Sequence, residues 1–168
     1  MTQAGYFDRY LLHAQDKQKA KEGEENGLWD FLLSLKQRGL AREIGFSFHD
    51  TADVLDQILT NHPEMDFVQL QLNYIDWDNV SIQSRLCYEI ARKHNKPIIV
   101  MEPVKGGLLA TLPEEGVKLL KDVSPDASIA SWAVRFAAGL DGIFPPIVEC
   151  GSSTFSESGE MEQADFDE

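Results

Sequence analysis

The side chains that could do chemistry in this sequence sit where strand-like runs end or the chain turns. His13 closes an aromatic and aliphatic run. An imidazole at such an end can donate or accept a hydrogen bond to a ligand, or simply bond a nearby carbonyl. Ser47 and Gln69 stand in two further strand-like runs. Their hydroxyl and carboxamide each donate and accept, which suits a polar ligand or a solvated rim. Lys105, Gly106 and Gly107 follow a fourth, nearly all-apolar run. Glycines let a backbone approach a phosphate closely and a lysine adds charge, although the same three residues also make an ordinary turn. Cys87 and Cys150 are the only cysteines, far apart and outside any Cys-x-x-Cys pair. Buried thiols fit them better than a metal or cluster site.

The elements that must position these residues alternate between strand and helix. Tyr6 to Leu12 reads as a strand, and the charged stretch Lys17 to Glu25 as a loop. Leu28, Phe31, Leu32 and Leu35 recur at helical spacing, with Gly39 as the stop. Glu43 to Ser47 is a second strand, and Asp50 caps a helix whose apolar face is Val54, Leu55, Ile58 and Leu59. Asp66 to Leu72 alternates as a third strand, and Ile82, Leu86 and Ile90 mark the next helix, which ends near His94 and Asn95. Pro97 to Glu102 reads as a fourth strand covered on both faces. Ser124-Pro125 starts a helix that carries Ile129, Trp132, Ala133 and Phe136. Ile143 to Glu149 has strand-like residues, but Pro145-Pro146 argues against a central strand. This order predicts an α/β fold with a parallel sheet, and periodicity alone does not choose between an open sheet and part of a barrel. No glycine-rich phosphate loop follows an early strand.

The bulk properties exclude several functions. The chain has 168 residues, enough for one core, and a formal net charge of -13. Such acidity disfavours nucleic acid and anionic membrane as partners. From Glu149 to Glu168 there are seven acidic residues and no basic one, so residues 149–168 read as a disordered or irregular tail behind a domain at 1–148. No apolar run approaches the ~20 residues of a membrane span and the start lacks a signal-peptide pattern, so the expected location is cytoplasmic.

Four segments in order resemble the aldo/keto reductase family: YFDRYLLHA (6–14), LWDFLLSLKQRGLAREIGFSFHD (28–50), FVQLQLNYID (67–76) and ARKHNKPIIVMEPVKGGLLA (91–110). They are similar to that family's fourth to seventh barrel strands with their loops, and the likeness covers residues 5 to 142. The GFSFH and MEPVKGG variants are most similar to a branch of oxidoreductases that also carries an iron–sulfur domain. Any such cluster belongs to a parent protein beyond this chain. The resemblance implies a partial (βα) TIM-type barrel of four to five parallel strands, where a closed one needs ~250 residues. The expectation is a fragment with open strand edges able to self-associate.

The resemblance also implies roles. In this family a hydride passes from NADPH (or NADH) to a small-molecule aldehyde or ketone. A tyrosine donates the proton, tuned by a lysine and an aspartate. His13 matches the histidine that holds the carbonyl oxygen. Ser47 and Gln69 match residues that bond the nicotinamide carboxamide. Met101 takes the place of an aromatic that stacks on the ring, and Glu102 falls where a serine is common. Lys105 and Gly106 match the loop along the pyrophosphate. Phe48 stands where the family usually has asparagine, and His49 lies at the same rim. Tyr6, Tyr10, Tyr74 and Tyr88 do not match the proton donor, so this chain alone is expected to be inactive; losing general acid catalysis removes roughly 10²–10⁴-fold. The region from Pro145 onward carries no Arg or Lys for a 2′-phosphate, which leaves NADP and NAD undistinguished.

Two readings follow. One is part of an NAD(P)H-dependent carbonyl reductase. The other is a non-catalytic α/β binding or interaction module derived from that fold, supported by the unmatched tyrosine, lysine and aspartate. Completion by a separate chain is a third arrangement and predicts obligate association.

Overall fold

The computed structural model describes residues 5–144 and the backbone of residues 153–155 and 161–163. Its core is a parallel sheet of β1 (Phe7–Gln15), β2 (Ala41–Phe48), β3 (Phe67–Gln71) and β4 (Ile98–Met101), in that order. Between them run α1 (Lys17–Glu25), α2 (Leu28–Gln37), α3 (Ala52–Asn61) and α4 (Ser84–Lys93), followed by α5 (Glu114–Val123) and α6 (Ile129–Ala138). Sequential strands pair as neighbours throughout, which is the βα repeat of a barrel.

Side-chain alternation divides the sheet into two faces. Ile44, Phe46, Val68, Leu70, Ile98 and Val100 pack with Leu32, Leu55 and Leu59 from the helices into the main core. Their neighbours Ser47, Gln69, Gln71, Ile99 and Met101 point to the other face, where Ser47 stands beside Gln69 and Gln71 beside Met101. Gly45 also belongs to this second face. A Cβ there would press on the backbone oxygen of Phe67 and come 2.8 Å from its ring.

On the far side of β4 the chain returns in a single parallel bridge, Ile98 with Ile143. Ile98 N–H donates to Gly142 O at 2.9 Å, and Phe144 N–H donates to Ile98 O at 2.8 Å. The two prolines that follow, and the rest of the run to Glu149, lie outside the described residues. The sheet curls: Arg9, on the first strand, places its guanidinium 4.2 Å from the ring centroid of Phe144, beside the fourth. Four parallel strands in sequential order with helices between them make this a partial TIM-type barrel.

Several elements differ from the sequence reading. Lys17–Glu25 is a helix, not a loop. Its capping residue Asp16 accepts from Lys19 N–H at 2.8 Å, and its few inward contacts come from Ala20 and Gly23 beneath Trp29. Asp50 does not cap α3, whose capping position is held by Thr51; the Asp50 carboxylate instead accepts from Lys17 N–H and Thr51 N–H. Helix α6 starts after Ser128, which accepts from Ser131 N–H, rather than at Ser124. Helix α5, which the sequence reading did not assign, has no buried residue, although Val117, Leu120 and Val123 recur at helical spacing. Within the acidic tail, Ser153–Phe155 and Met161–Gln163 pair antiparallel as β5 and β6. The remainder of that tail, with Cys150, lies outside the described residues.

Candidate active site at the strand C-termini

The C-terminal ends of β1 to β4 bring the candidate residues to one rim. β1 runs past His13 to Gln15 through a bulge between Leu12 and Gln15, where the register with β2 shifts. Bulges re-aim side chains. Here the bulge leaves His13 exposed and puts Ala14 in the left-handed region at φ 54°. Two bonds hold that turn. Ala14 N–H donates to Ser47 Oγ at 2.6 Å, and Gln15 Nε2 donates to His13 O at 3.1 Å. Ser47 is buried, and as an acceptor for Ala14 it still keeps its own O–H to donate. His49 extends the rim. Burial, reinforced by the charges of His13 and Lys19 and opposed by Asp16, pushes its pKa below the ordinary histidine value.

Gln69 is half-buried next to Ser47 in register, so a hydroxyl and a carboxamide stand side by side on the inner face. Met101 is buried at the end of β4. The chain then turns through four left-handed residues: Glu102 (φ 58°), Lys105 (φ 54°), Gly106 (φ 59°) and Gly107 (φ 87°). Glycine adopts this region freely, whereas glutamate and lysine need to be held there.

What holds them is a polar cluster the sequence reading did not single out. Asn73 Nδ2 donates to Glu102 O at 3.1 Å. Lys105 Nζ donates to Asp76 Oδ1, and Gln71 Nε2 and Asn73 Nδ2 each donate to Asp76 Oδ2 at 3.0 Å. Asp76 N–H returns a bond to Asn73 Oδ1 at 2.9 Å. Asp76 is only 2% exposed. Burial pushes its carboxyl upward, but the donors from Lys105, Asn73 and Gln71 outweigh that and leave it below the usual carboxylate value. The signal in the sequence was the polar spacing Gln71, Asn73, Asp76 directly after an apolar strand.

A cavity of about 180 Å³ opens beside this rim, lined by His49, Asp50, Gln71, Ser84 and Cys87 among others. Cys87 is no nucleophile there: burial, with Asp50 and Asp53 nearby, pushes its thiol up to about 12. Among the described residues no group of three or more His, Cys, Asp and Glu could hold a metal ion. None of the helices described is long and apolar enough to cross a membrane.

The sequence profile of the Aldo/keto reductase family matches residues 2–154. The chain belongs to the aldo/keto reductase family. Solved aldo-keto reductases have the same fold at low identity. The holo form of one from Bacillus halodurans is 18% identical with a TM-score of 0.58; the alignment covers 89% of this chain and 49% of that one. One from Brucella melitensis is 21% identical with a TM-score of 0.62, over 87% of this chain and 50% of that one. One from Klebsiella pneumoniae, solved in complex with NADPH, is 17% identical with a TM-score of 0.60, over 89% and 49%. This aldo/keto reductase chain therefore spans about half the length of the solved structures it matches. No curated protein matches it.

Proposed function

We propose that this chain forms the nicotinamide-binding half of an NAD(P)H-dependent carbonyl reductase. The observation that carries the proposal is the juxtaposition of Ser47 and Gln69 in register at the strand C-termini of an aldo/keto reductase sheet. In a βα barrel this is the face that hosts active sites.

The residues fit such a cofactor. The Ser47 hydroxyl and the Gln69 side chain would hold the carboxamide of a nicotinamide, since both donate and accept. Met101 would supply a soft apolar contact to the ring. Gly106 would let the loop after β4, which also carries Lys105 and Glu102, approach the pyrophosphate. When bound, the dinucleotide supplies the hydride. His13, exposed in the β1 bulge, donates a hydrogen bond to the carbonyl oxygen as negative charge develops on it. The tyrosine, lysine and aspartate that deliver the proton are not matched among Tyr6, Tyr10, Tyr74 and Tyr88 or their neighbours. The chain by itself thus binds cofactor without turning over an aldehyde or ketone.

Titration of the purified chain with NADPH and NADH, followed by incubation with a panel of aldehydes and ketones, tests this. Saturable binding without oxidation of the cofactor is expected. A folded, monodisperse chain that binds neither dinucleotide would favour the second reading, an α/β interaction module that kept the sheet and lost the chemistry. The acidic composition and the unmatched proton donor favour that second reading if binding fails.

A further inference from the structure

The loop after β4 carries two non-glycine residues in left-handed backbone, and each is held by a side chain from the segment after β3. Asn73 bonds the carbonyl of Glu102, and Asp76 takes the ammonium of Lys105. Left-handed backbone at such residues is strained and persists only where its surroundings over-determine it. Here they do. Asn73 and Asp76 bond each other in both directions, Gln71 adds a third donor to Asp76, and Leu72 N–H donates to Met101 O at 3.2 Å. Asn73 and Asp76 are almost fully covered, and Lys105 is about a third exposed.

A lysine beside two glycines on this rim invites the role of phosphate ligand. Its ammonium, however, already meets a buried carboxylate, and removing it would leave that charge uncompensated in a poorly solvated site. We infer that Asp76 is a positioning residue for the cofactor-facing loop, and that Lys105 is its counter-ion rather than a ligand of the cofactor's phosphates. This rests on the cofactor reading above and assigns a cause to the shape of the loop. The pair contributes geometry: it bolts the exit of β3 to the exit of β4, the two strands that carry Gln69 and Met101.

The two roles predict opposite signs for one substitution. If Lys105 grips phosphate, Asp76→Asn releases the ammonium and NADPH binds as well as before or better. If the pair is a tether, Asp76→Asn and Lys105→Met each weaken NADPH binding by a similar factor, roughly tenfold for the loss of one charge-assisted bond. The double variant is then no worse than either single one. The experiment is NADPH fluorescence titration of the full chain and these three variants, with amide hydrogen exchange of residues 102–109 measured without cofactor. Similar losses in both single variants, a non-additive double variant and faster exchange in all three support the tether. Unchanged or tighter binding in Asp76→Asn overturns it. Should the unsubstituted chain bind no dinucleotide, the cofactor reading fails and exchange alone judges the tether: unchanged exchange in Lys105→Met overturns it. If Asp76→Asn does not fold, Gln71→Ala removes one donor and leaves the ion pair. The tether then predicts a smaller loss of binding and partial loss of protection, and unaltered values for both contradict it.

Discussion

The guanidinium of Arg9 lies 4.2 Å from the ring centroid of Phe144, although Arg9 is on β1 at one edge of the sheet and Phe144 lies beyond β4 at the other. Four strand steps of about 4.8 Å would separate them by roughly 19 Å on a flat sheet. An arginine cannot span that distance, so the contact records how strongly the sheet curls. The same Arg9 donates from Nε to Glu43 at 2.7 Å, which fixes its stem against β2. An Arg9→Met variant is expected to lose about 1 kcal/mol, since the ion pair is partly exposed and the cation–π contact modest. Urea unfolding of Arg9→Met, Phe144→Leu and the double variant checks it. Coupling between the two positions is expected, and strictly additive losses would show that the contact does not contribute.

Gly45 has a sharper consequence. Any Cβ at this position meets Phe67, both its backbone oxygen and its ring, and the contact sits inside the β2–β3 pairing. Gly45→Ala should therefore cost about 2–3 kcal/mol by overpacking. A thermal melt reads the loss as a lowered midpoint, and an unchanged midpoint would mean that the two strands part easily.

Acid should act through Asp76. Its carboxyl is held below the ordinary value in the folded chain, despite burial, by Lys105, Asn73 and Gln71. A carboxyl with a lower pKa folded than unfolded adds stability that is present above about pH 4 and is lost as the pH falls through the folded value. Replacing it by Asn should cost about 3 kcal/mol at pH 7 and clearly less near pH 3. Urea midpoints of the two proteins at both pH values give the comparison. An equal gap at both would place the acid sensitivity elsewhere.

Cys87 should resist thiol reagents. Burial raises its pKa to about 12, so almost no thiolate is present at pH 8. Peptide mapping after alkylation of the native chain should show Cys87 unmodified, with labelling only after denaturant. Rapid native labelling would mean that α4 opens readily from the sheet.

Much of the sheet could be read from the sequence because strand and helix periods differ. FVQLQ alternates, IIVM is apolar on both faces, and α3 shows its Val54, Leu55, Ile58 and Leu59 stripe. Helices α1 and α5 escape the sequence reading for different reasons. α1 buries only Gly23 and writes no apolar stripe, whereas α5 spaces Val117, Leu120 and Val123 at helical intervals without burying them. The misplaced start of α6 reflects two serines four residues apart, both able to cap, of which the tertiary fold uses the second. At the site, His13, Ser47 and Gln69 were visible as polar residues interrupting apolar strands. The bond from Ala14 N–H to Ser47 depends on a bulge that no residue pattern announces. The partnership of Asp76 with Lys105 joins residues 29 apart in sequence and appears only when β3 and β4 lie side by side.

On the proposed reading Ser47 and Gln69 together form a nicotinamide platform on this sheet. The decisive measurement is fluorescence titration of NADPH into the purified chain and into Gln69→Ala. Saturable binding that weakens roughly tenfold in the variant is expected, as when a half-buried polar contact to the carboxamide is lost. Equal affinity in both proteins, or no binding by a folded and monodisperse chain, would contradict it.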